Sequence, residues 1–165
     1  MKKIVSFLAL VLSIVSCAQP NETAFKKEAL ENEMLTISNE KITFQEILKK
    51  YEGQTIVVDV WASWCSDCIK GMPKVKALQE KYPEVTYLFI SMDKTYEAWS
   101  KGIEKYEVKG EHYMANDGMK GIFGKSINLD WIPRYMVVDK TGKIALYKVI
   151  EADDEKLIKT LESLK

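Results

Sequence analysis

The sequence predicts one α/β domain built on a mixed, partly parallel sheet, and three observations carry that expectation. "TIVVDVW", Thr55 to Trp61, is apolar without a break except at Asp59, the composition of a strand covered on both faces. "VTYLFISMD", Val85 to Asp93, repeats the pattern, and between the two runs Ile69, Met72, Val75, Leu78 and Tyr82 recur at helical spacing. Strand, helix and strand in this order imply a right-handed parallel crossover. The third observation is a terminal hairpin, "RYMVVD" and "KIALYKVI", with its turn at Lys140 to Gly142. At 165 residues the chain suits one domain with a sizeable core, so a single site is expected. Lysine plus arginine and aspartate plus glutamate each number 24, so no basic excess points to nucleic acid.

Taken in order, the chain begins with Lys2 and Lys3, an apolar run from Ile4 to Val15, and small residues at Ser16 and Ala18. This reads as a secretory signal over residues 1–16, because a run of about twelve residues falls short of the roughly twenty that span a bilayer. Residues 17–33 are polar, contain Pro20 and Asn21, and read as a tether that is partly helical around Phe25 to Leu30. The domain is expected over residues 34–165. "MLTISNEKITF" alternates around Asn39 as a small hairpin, and "FQEILKKY" follows as a helix. "KTYEAWSKGIEKY" is a further helix, with Trp99 and Ile103 on one face. Gly110 to Asp130 is glycine-rich, and "GMKGIFG" reads as a short helix leading to a loop. Asp153 and Asp154 open a last helix carrying Leu157, Ile158, Leu161 and Leu164.

Cys65 and Cys68 fall at the junction of the central strand with its helix. A disulfide between them closes a very small ring and adds little through loop closure. One C-x-x-C supplies two of the four ligands that structural zinc wants, and His112 is the sole histidine, so no metal site is expected. Two thiols that are made and broken together fit the spacing. The unpaired N–H groups and partial positive charge of a helix start stabilise a thiolate at Cys65, the attacking species. Cys68, one turn on and more buried, is placed to resolve a mixed disulfide.

"VVDVWASWCSDCIKGMP" resembles the active-site segment of the thioredoxin superfamily, and "WASWC" is most similar to the TlpA/ResA group of thiol-disulfide oxidoreductases. The resemblance runs through most of Leu35 to Lys165: "TISNEKITFQEI" resembles the group's extra N-terminal hairpin and helix, and "WIPRYMVVDKTGKI" its proline loop and terminal hairpin. It implies a thioredoxin fold, a central mixed β-sheet flanked by helices on both faces with an extra N-terminal β-hairpin. It further implies a cis peptide between Ile132 and Pro133 facing the cysteines, where exposed backbone pairs with an extended substrate strand, and a first helix kinked at Pro73. The resemblance also implies that Trp64 flanks Cys65 and Trp61 packs beneath it, although for Trp61 a plain core role without function is the preferred reading. Asp59 matches a buried carboxylate of thioredoxin. Burial raises such a carboxyl toward neutrality, so it can take a proton from Cys68 through a water. The rival readings for Asp59 are a solvent-facing aspartate and an ion pair with a lysine. "SIVSCAQ" resembles a bacterial lipobox, with Cys17 lipidated as the new N-terminus. Ordinary cleavage after Ala18 is the alternative.

Two departures stand out. Gly71 occupies the position where the group commonly carries a glutamate, and Ser66-Asp67 replaces Gly-Pro or Glu-Pro, putting an acid beside the thiolate. The resemblance implies an exported thiol-disulfide oxidoreductase of the cell envelope or periplasm, anchored to the membrane through Cys17. It would reduce protein disulfides, need no metal or organic cofactor, and be re-reduced by a membrane electron donor. The alternatives are a thiol peroxidase, whose T-x-x-C setting Thr55 and Asp59 do not place on Cys65, and a non-catalytic binding or assembly factor. Arg134 is expected to be solvated and His112 to be an ordinary strand or surface residue, while Trp131 either lines the substrate groove or caps its loop.

Overall fold

A computed structural model describes residues 22–165; the signal segment and Cys17 lie outside the described residues. The elements in chain order are α1 (Lys27–Leu30), β1 (Glu33–Thr36), β2 (Lys41–Thr43), α2 (Phe44–Lys50), β3 (Ile56–Trp61), α3 (Ser66–Lys81), β4 (Thr86–Ser91), α4 (Tyr96–Tyr106), β5 (Glu111–Ala115), α5 (Ile122–Ser126), β6 (Arg134–Val138), β7 (Ile144–Val149) and α6 (Glu155–Ser163). The strands form one sheet in the order β2-β1-β5-β4-β3-β6-β7. β3, β4 and β5 run parallel, while β6 pairs antiparallel with β3 and β1 antiparallel with β5. All six residues of β3 are buried, as expected of a strand covered on both faces. The mixed sheet, its N-terminal hairpin and its closing hairpin follow the sequence reading.

Local chemistry sets the helix starts. Thr43 and Glu46 form a reciprocal capping box on α2, and Thr95 and Asp154 cap α4 and α6 with side-chain oxygens. α3 carries Pro73 inside it, which removes one backbone donor from its ladder. Along the sheet, register aligns His112, Phe89, Asp59, Tyr135 and Val149 in one cross-strand row, so these side chains share a face.

The structure differs from the sequence reading in two places. β5 lies in the Gly110 to Asp130 segment, where the sequence suggests a short helix and a loop but no strand beyond the reading of His112 as a strand or surface residue. Its five residues begin with the partly exposed Glu111 and His112, so the apolar part is too short to stand out. Residues 22–33, read as tether, pack on the body. The Phe25 ring meets Phe44 edge-on at 4.9 Å between centroids, Ala29 is fully buried, and the Ile144 N–H donates to the Thr23 carbonyl at 2.9 Å. Three apolar side chains in a polar stretch suffice, because Phe44 and Phe123 leave a seat for them. Among the described residues no helix is long and apolar enough to cross a membrane.

Candidate active site

The loop from Ala62 to Trp64 carries the chain from β3 into α3 and is held from two sides. Buried Asp93, just past β4, accepts hydrogen bonds from the Ser63 N–H at 3.0 Å, the Ser63 hydroxyl at 2.7 Å and the Ser91 hydroxyl at 2.7 Å. From the other side α4 presses Gly102 against the loop so closely that a Cβ there would stand 2.4 Å from the Ser63 Cβ. This clamp fixes the backbone immediately before the cysteines.

Cys65 is the N-cap of α3, and its Sγ accepts the Cys68 N–H at 3.1 Å, an arrangement suited to holding a sulfur anion. The two cysteines are joined as a disulfide, Cα to Cα 5.3 Å. Cys65 keeps 6% of its surface and Cys68 1%, so a partner can reach the first sulfur and not the second. Cys65 Sγ lies 3.6 Å from the Ile132 carbonyl oxygen, and the Ile132–Pro133 peptide is cis. The expected neighbours of the disulfide thus meet around it, although Cys65 and Pro133 are 68 residues apart in sequence.

In front of the disulfide is an open groove of about 350 Å³ bounded by Trp64, Asp67, Met119, Asp130, Trp131 and Ile132. Trp64 and Trp131 are 57% and 56% exposed, an unusual state for two indoles on one small surface. Trp61, by contrast, is fully buried in the core. Asp67 is exposed and only loosely paired with Lys70, at 3.9 Å.

Asp59 lies in the middle of β3, 2% exposed, with neither carboxylate oxygen hydrogen-bonded. That removes both rival readings, a solvent-facing aspartate and a lysine pair. Burial pushes its carboxyl up from 3.8 to about 8, while the Tyr135 hydroxyl, directly opposite in the strand pair, acts in the other direction. The hydroxyl influences the carboxyl electrostatically without closing a hydrogen bond of normal geometry.

Arg134 corrects an expectation. It is fully buried rather than solvated, and donates to the carbonyls of Ile127 at 3.2 Å and Asn128 at 3.3 Å and to the Asp130 carboxylate. It therefore braces the loop that presents Trp131. The reason is its position as the first residue of a wholly buried strand, where those carbonyls and Asp130 take the two terminal nitrogens and Nε has no hydrogen-bond partner. His112 is half-buried in β5 and stacks on Phe89 at 5.2 Å between centroids, as expected of an ordinary strand residue.

Comparison with known proteins follows the same lines. The model of thioredoxin-like proteins matches residues 53–144, which spans β3 through the start of β7 and includes both cysteines and Pro133. The chain belongs to the thioredoxin-like family. Within it, the chain is 25% identical over 167 residues to the thiol-disulfide oxidoreductase ResA of Bacillus cereus, covering 95% of each chain. It is 29% identical over 112 residues to the protein of that name from Bacillus anthracis, covering 67% of this chain and 63% of that one. Two solved thioredoxin-like structures share the fold. The thioredoxin domain of a thiol-disulfide oxidoreductase from Bacteroides vulgatus aligns with TM-score 0.66 at 23% identity, over 81% of this chain and 92% of that one. A thiol-disulfide oxidoreductase from Bacteroides fragilis aligns with TM-score 0.68 at 22% identity, over 81% and 96%. These relatives and the Cys65–Cys68 pair support a redox function.

Sequence reasoning missed the clamp of Asp93, Ser63 and Gly102, and also Tyr135. The polar pair Ser91 and Asp93, ending an otherwise apolar strand, was the available signal for the first. For Tyr135 there was none without the strand register.

Proposed function

We propose that this chain reduces disulfides in protein substrates, in an exported setting, through the Cys65/Cys68 pair. The observation that carries the reading is the half-shielded disulfide at the start of α3, with the first sulfur facing the groove beside Ile132. The Cys65 thiolate attacks a substrate disulfide, forming a mixed disulfide and expelling one substrate thiolate. Cys68 then loses its proton to Asp59 and attacks Cys65 Sγ. That forms the intramolecular disulfide and releases the second substrate thiolate, so two electrons pass from the dithiol to the substrate. The Ile132 backbone beside Pro133 pairs with an extended substrate segment, and Trp64 covers its side chains.

Residues 1–16 serve as a lipoprotein signal, and lipidated Cys17 anchors the domain to the membrane of the cell envelope. A membrane electron donor returns the pair to the dithiol. The domain over residues 34–165 is expected to take in α1 as well, an extension supported by the burial of Ala29. The test is reduction of insulin disulfides with dithiothreitol as electron source. The wild type is expected to catalyse it and Cys65→Ser to lose all catalysis; equal rates for the two would overturn the reading.

A further inference from the structure

On the face of the sheet beneath α3, the Asp59 carboxyl and the Tyr135 hydroxyl come from residues paired directly across β3 and β6. Cys68 and Gly71 lie one turn apart on α3 and so share a face. A Cβ on Gly71 would stand 3.7 Å from the Tyr135 hydroxyl, so that hydroxyl reaches the same helix face as Cys68. It lies in the one stretch of that face without a side chain. We propose that Tyr135 is the positioning residue for proton transfer in this site: its hydroxyl donates to one oxygen of the Asp59 carboxylate and leaves the other to take the Cys68 proton. The inference rests on the reading of Asp59 as proton acceptor.

The physical need is plain. A buried carboxylate with no hydrogen bond is costly, and a donor held nearby lowers that cost as the charge appears. No other polar group stands across from Asp59 in the sheet. On the β4 side its neighbour is Phe89, behind which His112 on β5 stacks. On the α3 side, Gly71 faces the Tyr135 hydroxyl, one turn from Cys68. Beyond Tyr135 lie Glu151 and Asp153, both held by Lys74 at 2.7 and 3.0 Å. Burial of the ring, followed by the charge of Asp59 and the more distant acids Glu151 and Asp153, holds the Tyr135 phenol well above its ordinary range, so it stays a donor through neutral and mildly alkaline pH.

The test uses the full chain with Cys17→Ala, reduced and mixed with Ellman's reagent. Attack by Cys65 releases the first thionitrobenzoate and resolution by Cys68 the second. In the reference protein the second phase is expected to gain speed through a midpoint near pH 8, as Asp59 ionises and becomes able to take the proton. Tyr135→Phe removes the donor to the charged form. The midpoint is expected to move up by about one unit, with the second phase about tenfold slower at pH 7 and the first phase unchanged. Replacing Tyr135 with 3,5-difluorotyrosine, of like shape and stronger donor strength, is expected to move it down. Midpoints that stay at the reference value in both variants, while Asp59→Asn abolishes the Asp59-dependent rise, overturn the role of Tyr135 alone. A second phase unaltered by Asp59→Asn overturns the reading beneath it.

Discussion

Asp59→Asn makes the strongest physical demand on the structure. The carboxyl has its pKa raised from 3.8 to about 8 by burial, so the folded state holds this proton more tightly than the unfolded chain does. The sign follows from proton counting. Below about pH 4 both states are protonated and Asp59 imposes no ionic cost. Between about pH 4 and pH 8 the unfolded state releases the proton and the folded state keeps it, so wild-type stability falls as pH rises. At pH 7 that loss amounts to about 4 kcal/mol, the three pH units traversed at about 1.4 kcal/mol each. Asparagine cannot ionise. Its own cost of burying an amide is independent of pH, so the informative quantity is the change in the difference between variant and wild type from pH 4 to pH 7. Urea unfolding of both proteins in the oxidised form at each pH measures it. With a slope of about 2 kcal/mol per molar, the midpoint gap is expected to change by about 2 M in favour of Asp59→Asn at pH 7. A gap that does not vary with pH would refute the claim that burial holds this carboxyl neutral.

The remaining predictions concern the scaffold and the groove. Gly102→Ala is expected to cost about 1–3 kcal/mol by thermal or urea unfolding, because its Cβ would meet Ser63 Cβ at 2.4 Å; a variant as stable as the wild type would refute that close approach. Arg134→Met leaves the Asn128 carbonyl without its donor, while the Ile127 carbonyl keeps the Tyr147 hydroxyl at 2.7 Å and the exposed Asp130 keeps Lys148. Unfolding should show a loss of about 1–3 kcal/mol, in contrast to the near-neutral effect expected of a surface arginine. Trp64→Ala and Trp131→Ala, both on exposed side chains, should leave the melting temperature within a degree or two while raising KM for a protein disulfide several-fold. An unchanged KM in both variants would remove the indoles from substrate binding.

Where the sequence could be read and where it could not has a physical pattern. β3, β4 and α3 were legible because buried parallel strands are continuous apolar runs and the helix between them keeps a 3.6-residue period. Cys65 and Cys68 were legible for the same reason, since a strand ending in a helix start is a local feature. β5 escaped because its apolar stretch is only Tyr113 to Ala115, and pairing with β4 rather than its own pattern makes it a strand. Residues 22–33 escaped because their few apolar side chains become a packing face only when Phe44 and Phe123 stand ready. Arg134 depends on the path of the loop just before it, Ile127 to Asp130, which turns its carbonyls back onto the strand, and Tyr135 on Asp59 across the sheet, which register alone brings to it. Composition made Arg134 a surface residue; the carbonyls of a neighbouring loop made it a buried brace.

The claim at the centre of this account is an ordered division of labour, with Cys65 attacking and Cys68 resolving. Trapping in cells tests it most directly, using the full-length chain as Cys68→Ser and as Cys65→Ser, quenched with acid and alkylated. The account predicts mixed disulfides that collapse on reduction in Cys68→Ser, linked through Cys65, and none in Cys65→Ser. Adducts carried by Cys68 in Cys65→Ser, in amounts equal to those on Cys65, would contradict it.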